Sequence, residues 1–112
     1  MLVTDLPDFI QTPFREALAA WQANTARTCI HSPTPKYGRG FTAVWKPDLV
    51  VCPWCTQLLG VNREEASTCD RCDVRVPQHP GVTTMHVGFV RIDGLTITFG
   101  ICTNCRDQLN TP

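Results

Sequence analysis

LTITFGICTNCRDQL, residues 95–109, reads as a strand, a thiol pair and a helix start in one unbroken run. Leu95, Ile97, Phe99 and Ile101 alternate with Thr96, Thr98 and Gly100, the period of a half-buried strand. Cys102-Thr-Asn-Cys105 follows with no linker. Arg106, directly after the second thiol, suits a helix rather than a free turn, and a helix N-terminus favours thiolate through its dipole. Upstream, Asp93-Gly94 is the preferred two-residue turn of a β-hairpin, so 82–101 is expected to fold back on itself.

The same order of features occurs earlier in the chain. Residues 34–51 predict a first hairpin, with Phe41 to Trp45 as one strand, Lys46-Pro47-Asp48 as the turn and Leu49 to Val51 as the return. It runs straight into Cys52-Pro-Trp-Cys55, and Thr56 again suits a helix start, with Gly60 as its stop. Residues 56–68 read as helical and then loop-like. A third pair, Cys69-Asp-Arg-Cys72, precedes the second hairpin. Asp73 after it is one of the few non-glycine residues that tolerates positive φ, as a free knuckle requires.

Seven cysteines leave one without a CxxC partner. That is Cys29, and His31 lies two residues on. Taken together they form a fourth pair, placed before the first hairpin as Cys69 and Cys72 stand before the second. The alternative is a buried free thiol beside a surface histidine. His79 and His86 are rival candidates for an eighth donor.

Zn²⁺ takes four tetrahedral donors from thiolate sulfur and imidazole nitrogen, and a CxxC turn offers two to one ion. Eight candidate donors suffice for two closed sites, so two zinc ions are expected. Three pairings are open. The consecutive one joins Cys29, His31, Cys52 and Cys55, and separately Cys69, Cys72, Cys102 and Cys105. A second joins Cys52, Cys55, Cys69 and Cys72, with the spacing of a zinc ribbon. A third is crossed. The stretch between Cys55 and Cys69 lacks strand-forming residues, which favours the consecutive pairing.

Knuckle, hairpin and two donors at a helix start resemble the treble-clef class of zinc modules. The resemblance covers 69–110 well and 29–60 less well, where CxH stands for the usual CxxC. It implies a metal-stapled fold and no particular activity. The expected architecture is a small α+β domain: an N-terminal helical segment over 1–28, a first zinc-binding unit over 29–66 and a second over 67–112. In the first segment Thr12-Pro13 reads as N-cap and first helical residue. Phe14, Ala17, Leu18 and Trp21 then form one helical stripe that fades near Asn24.

Composition narrows the function. The N-terminal MLVTDLPDFI lacks the basic flank and apolar run of a signal peptide, and no stretch approaches a membrane span. The expectation is a cytoplasmic protein, where CxxC pairs read as metal or redox sites. Ten basic residues balance ten acidic ones. Two zinc ions held by seven thiolates would leave a net charge of about −3, which disfavours general nucleic-acid binding.

Four functional readings follow. The first is a non-catalytic adaptor or regulator, with transcription as one setting, that binds a protein partner. Its contact candidates are Phe14, Leu18, Trp21, Phe41 and Trp45, unless those residues cover each other or the core. The second is single-strand nucleic-acid binding by the basic and aromatic residues of the first hairpin, Lys36, Tyr37, Arg39 and Lys46, with Arg71 and Arg75 beside the second knuckle. The third is thiol redox chemistry at Cys52 and Cys55. LVVCPWCTQLL resembles the active site of glutaredoxins, but Val76-Pro77 follows too soon for that fold's cis-proline element. The fourth is hydrolysis using His86, which lacks an obvious partner. Iron–sulfur ligation is chemically open to CxxC pairs and would colour the protein.

Overall fold

A computed structural model describes residues 3–36, 38–60, 68–74 and 85–110. It is a small α+β fold with an N-terminal helix, a mixed sheet and two clusters of cysteines. A short 3₁₀ turn at Val3–Asp5 leads into helix α1, Asp8–Gln22. Strand β1 is Arg27–Thr28, β2 Gly40–Ala43, β3 Lys46–Val51, β4 Met85–Ile92 and β5 Leu95–Cys102. A 3₁₀ segment, Pro53–Leu59, follows β3, and helix α2, Thr103–Asn110, follows β5. No helix among the described residues is long and apolar enough to cross a membrane.

The sheet order is β1-β3-β2-β5-β4. Each hairpin is antiparallel, and the two are joined by parallel pairing of β2 with β5, from Gly40 opposite Leu95 to Ala43 opposite Thr98. α1 packs on one face. Ile10, Phe14, Ala17 and Trp21 meet Val50, Ile92, Leu95 and Ile97 there. Gly40 lets Trp21 reach the sheet, because a Cβ on it would sit 2.6 Å from Val50 Cγ1 and 3.0 Å from Trp21 Cζ3. Gly88 on β4 is needed because the Phe99 ring lies across it, held edge-on by Phe9 with ring centroids 5.5 Å apart.

The helix begins earlier than Thr12-Pro13 suggested. Pro7 stands at the N-cap and Pro13 lies inside α1. The stripe extends back to Leu6 and Ile10, both in the core. Burying Ile10 and part of Phe9 contributes roughly 3–4 kcal/mol. That offsets the ~3 kcal/mol an interior proline costs. The far end lies where expected: Asn24 adopts a φ of 57°, and Thr25 N–H bonds back to Ala20 O at 2.9 Å.

The first hairpin turns at Val44-Trp45, not at Lys46-Pro47-Asp48, and Ala43 pairs with Lys46. Trp45 is fixed there because its indole N–H donates to Leu59 O at 3.0 Å. β1 pairs only with Leu49 and Val50, so Pro47 lies where no neighbour needs its missing N–H. The second hairpin turns at Asp93-Gly94, with φ of 53° and 82°, the positive pair a two-residue turn demands. Residues 61–67 and 75–84, including the expected loop after Gly60 and the first residues of the second hairpin, lie outside the described residues.

Candidate metal centres

The two clusters sit at the ends of β3 and β5. Cys52 directly follows Val51 and starts the 3₁₀ segment, while Cys102 ends β5 and precedes α2. Cys55 and Cys105 lie within the segments that follow. The turn after Cys52 is 3₁₀ rather than the expected α-helix, kinked at Cys55 (φ −115°, ψ 19°) and stopped by Gly60 with a φ of 39°.

Each knuckle lies beside the return strand of its own hairpin. β1 carries the chain along Leu49 and Val50 into Cys29. Beside β5, Asp70 N–H donates to Gly100 O at 2.8 Å, and its carboxylate accepts Gly100 N–H at 2.6 Å. Both turns close on the carbonyl of their first cysteine. Ser32 N–H bonds Cys29 O at 3.0 Å across three residues and Asp73 N–H bonds Cys69 O at 2.9 Å across four, with φ of 44° at Ser32 and 61° at Asp73. In each, the residue after the second donor takes a positive φ, and the turn of Cys29-Ile-His31 is one residue shorter.

Cys29, His31, Cys52 and Cys55 form one group and Cys69, Cys72, Cys102 and Cys105 the other, with donor atoms within 4.8 Å of one another in each. His31 presents Nδ1, 3.3 Å from Cys52 Sγ and 3.2 Å from Cys55 Sγ. In the second group Cys69 and Cys105 sulfurs lie 3.7 Å apart, and Cys72 and Cys102 sulfurs 3.8 Å. A disulfide needs about 2.05 Å. A tetrahedron with Zn–S bonds of ~2.3 Å has S···S edges of ~3.8 Å. The two donor sets fit two zinc ions.

The electrostatics fit a cation as well. Burial raises the Cys29 thiol, but the Cys52 N–H, 3.4 Å from its sulfur, and contacts from His31 outweigh this and bring it down to about 6. Cys69 follows the same logic: burial raises it, and the backbone N–H groups of Cys102, Cys72 and Arg71 bring it to about 7. The last thiol of each set goes the other way. Burial, then the neighbouring Cys52 and Cys29 sulfurs, push Cys55 up to about 11. Burial and the crowding of Cys102, Cys72 and Cys69 push Cys105 up to about 12, against a lowering contact from Arg71. One thiolate per cluster is prepared by N–H donors, and further negative charge accumulates only if a positive ion offsets it.

Zinc uptake near neutral pH is therefore expected to release protons, at least those of Cys55 and Cys105. Because protons compete for the same sulfurs, affinity falls as pH falls. A pH indicator in weakly buffered solution should record acidification as zinc is titrated in. Uptake without proton release would contradict the assignment of these two thiols as donors.

The other predicted residues are scattered. His86 joins neither group: Arg106 donates to its Nδ1 at 3.0 Å, so its Nε2–H faces Thr103 Oγ1 at 3.0 Å. His79, Tyr37 and Arg75 lie outside the described residues. Phe14 and Trp21 are buried in the core and Leu18 packs against it. Phe41 and Trp45 instead line a groove of about 490 Å³ on the opposite face of the sheet, with Leu59, Val87, Phe89 and Thr96. Lys36, Arg39 and Lys46 are exposed. Two features escaped sequence reasoning: the Asp70 brace on Gly100 and the Trp45 anchor on Leu59. An Asp inside a knuckle is a local signal for side-chain capping, whereas nothing near Trp45 points to Leu59.

No known protein family, curated protein or solved structure matches the chain.

Proposed function

We propose that the chain is a non-catalytic zinc scaffold, an adaptor or regulator that holds a protein partner in the groove lined by Phe41 and Trp45. The observation that carries this reading is closure. Each metal centre has four protein donors, whereas a catalytic zinc keeps one position open for water or substrate. The ions then serve to hold the sheet and its flanking turns, which leaves the groove as the surface for recognition. Its lining is largely apolar, and Val87 and Phe89 at its rim are 71% and 67% exposed. The two donor turns, each ending in a residue of positive φ and each followed by a hairpin and a CxxC turn, support a reading as two treble-clef-like units.

The rival readings have less behind them. A redox CxxC needs both sulfurs free for disulfide exchange, whereas Cys52 and Cys55 stand with Cys29 and His31 in one four-donor set. For nucleic acid, Trp45 is tied by its indole N–H and half-buried, a poor stacking platform.

The test is capture from nuclease-treated extract of the source cell by zinc-loaded protein, compared with Thr96→Glu, which puts a carboxylate into the groove. Loss of a specific partner in the variant, with both ions retained, is the expected result. Tight, salt-sensitive binding of an oligonucleotide, or turnover of a disulfide substrate, would overturn the reading.

A further inference from the structure

We infer that β4 pairs with β4 of a second copy of this chain, in one register, to make a two-fold dimer with a continuous sheet. The inference starts from the two edges. At one end of the sheet, β1 is two residues long and carries Arg27, ion-paired to Asp48 at 3.0 Å. At the other end, β4 is eight residues long, MHVGFVRI, with no strand on its outer side among the described residues. Proteins blunt an exposed edge with proline, a bulge, lysines or brevity. β4 has none of these, its ladder to β5 is unbroken, and its only Lys or Arg is Arg91 near one end.

The direction of its free backbone groups follows from β5. Thr98 O accepts from Val44 N–H at 3.0 Å, and Gly100 O accepts from Asp70 N–H at 2.8 Å, so both residues turn their polar groups away from β4. Phe99 and Ile101, between and beyond them, face β4 opposite Gly88 and His86. Strand geometry alternates. Met85, Val87, Phe89 and Arg91 therefore direct N–H and C=O outward, and Val87 and Phe89 are also the two exposed large apolar side chains of the strand.

Identity of the two strands limits the register. In an antiparallel pair, outward residues must oppose outward residues, so a copy can meet its twin only with residues of like parity facing. A two-fold axis through Gly88 places Val87 opposite the second copy's Phe89 and Phe89 opposite its Val87. Each exposed apolar residue is then covered by the other, an aromatic–aliphatic cross-strand pair made twice. Arg91 falls opposite Met85, so no charge meets its like. Shifting the axis to Phe89 would put Arg91 against Val87 and leave the two rings facing each other. With four outward residues per strand, the favoured register forms about eight backbone hydrogen bonds.

Sedimentation of the zinc-loaded full chain over a concentration series tests this directly. The wild type is expected to form dimers. Phe89→Lys and Val87→Glu each change an exposed side chain, so circular dichroism and zinc content should not move, while the dimer dissociation constant rises by about tenfold or more. Mixing the two variants is the register test. In the Gly88-centred pair one interface position keeps Val87 against Phe89. The other sets the introduced glutamate of one chain against the introduced lysine of its partner, so heterodimers should form and native mass spectrometry should show them. A wild type that stays monomeric at high concentration overturns the proposal. So do open-ended aggregates, a dimer indifferent to both variants, or a mixture that shows no recovery.

Discussion

A strong chelator is expected to abolish most of the β-sheet signal in circular dichroism, and added zinc to restore it. The reason lies in what the cysteines are doing besides meeting a metal. Cys29, Cys52 and Cys55 form a buried cluster with Val51 and Leu59, and Cys69, Cys102 and Cys105 form another with Ile101. These clusters hold the ends of β3 and β5. Without an ion, each packs several thiols at close quarters with nothing to offset the charge of the thiolates. A structural zinc contributes on the order of 10 kcal/mol to folding. A domain of this size has a net stability of roughly 5–15 kcal/mol. Loss of two ions exceeds that margin. The core under α1 contains no cysteine, but α1 alone has 15 residues, and an isolated helix of that length is marginal in water. An unchanged spectrum in protein shown to be free of metal would mean that this core suffices without zinc.

The second large effect is selective. Cys69→Ser is expected to reduce the zinc content from two ions to one and to lower stability by about 4 kcal/mol, the scale of a severe single substitution, which leaves the first centre folded. Cys69 is fully buried and is the thiol that backbone N–H groups prepare for a cation. A serine hydroxyl stays protonated and gives the ion no thiolate. The first centre should survive, because its donors all come from Cys29 to Cys55 and its ligand geometry does not pass through the second cluster. Cadmium-substituted protein, followed by cadmium NMR, should lose the resonance of the all-cysteine centre and retain that of the centre containing His31. Loss of both resonances together, with the α1 core still folded, would show that the two centres share donors.

Features set by near neighbours in the chain were legible from residue order. The spacing of Cys52 to Cys55, Cys69 to Cys72 and Cys102 to Cys105 follows from what a turn of backbone can offer one ion. Asp93-Gly94 specified the second hairpin because only a few residue types accept two positive φ angles in succession. Asp73 adopts the positive φ its type suggested, whereas the positive φ of Ser32 had no signal in its residue type. The eight donors and their consecutive grouping were readable for this reason: each pair is local, and each hairpin brings its own two pairs together.

Long-range packing decided the rest. The start of α1 moved back to Asp8 because Leu6 and Ile10 find a sheet to cover, a sheet whose strands come from the other end of the chain. The first hairpin turned two residues early because Trp45 meets a carbonyl fourteen residues away. Parallel pairing of β2 with β5 joins segments more than fifty residues apart, and no local pattern encodes it. That pairing leaves β4 at the edge of the sheet among the described residues and sets Phe41 and Val87 on the same face. Short-range chemistry thus placed the donors. The surfaces left open for other molecules depend on which strands became neighbours, and strand pairing is settled by burial summed over the whole fold rather than by any one stretch of it.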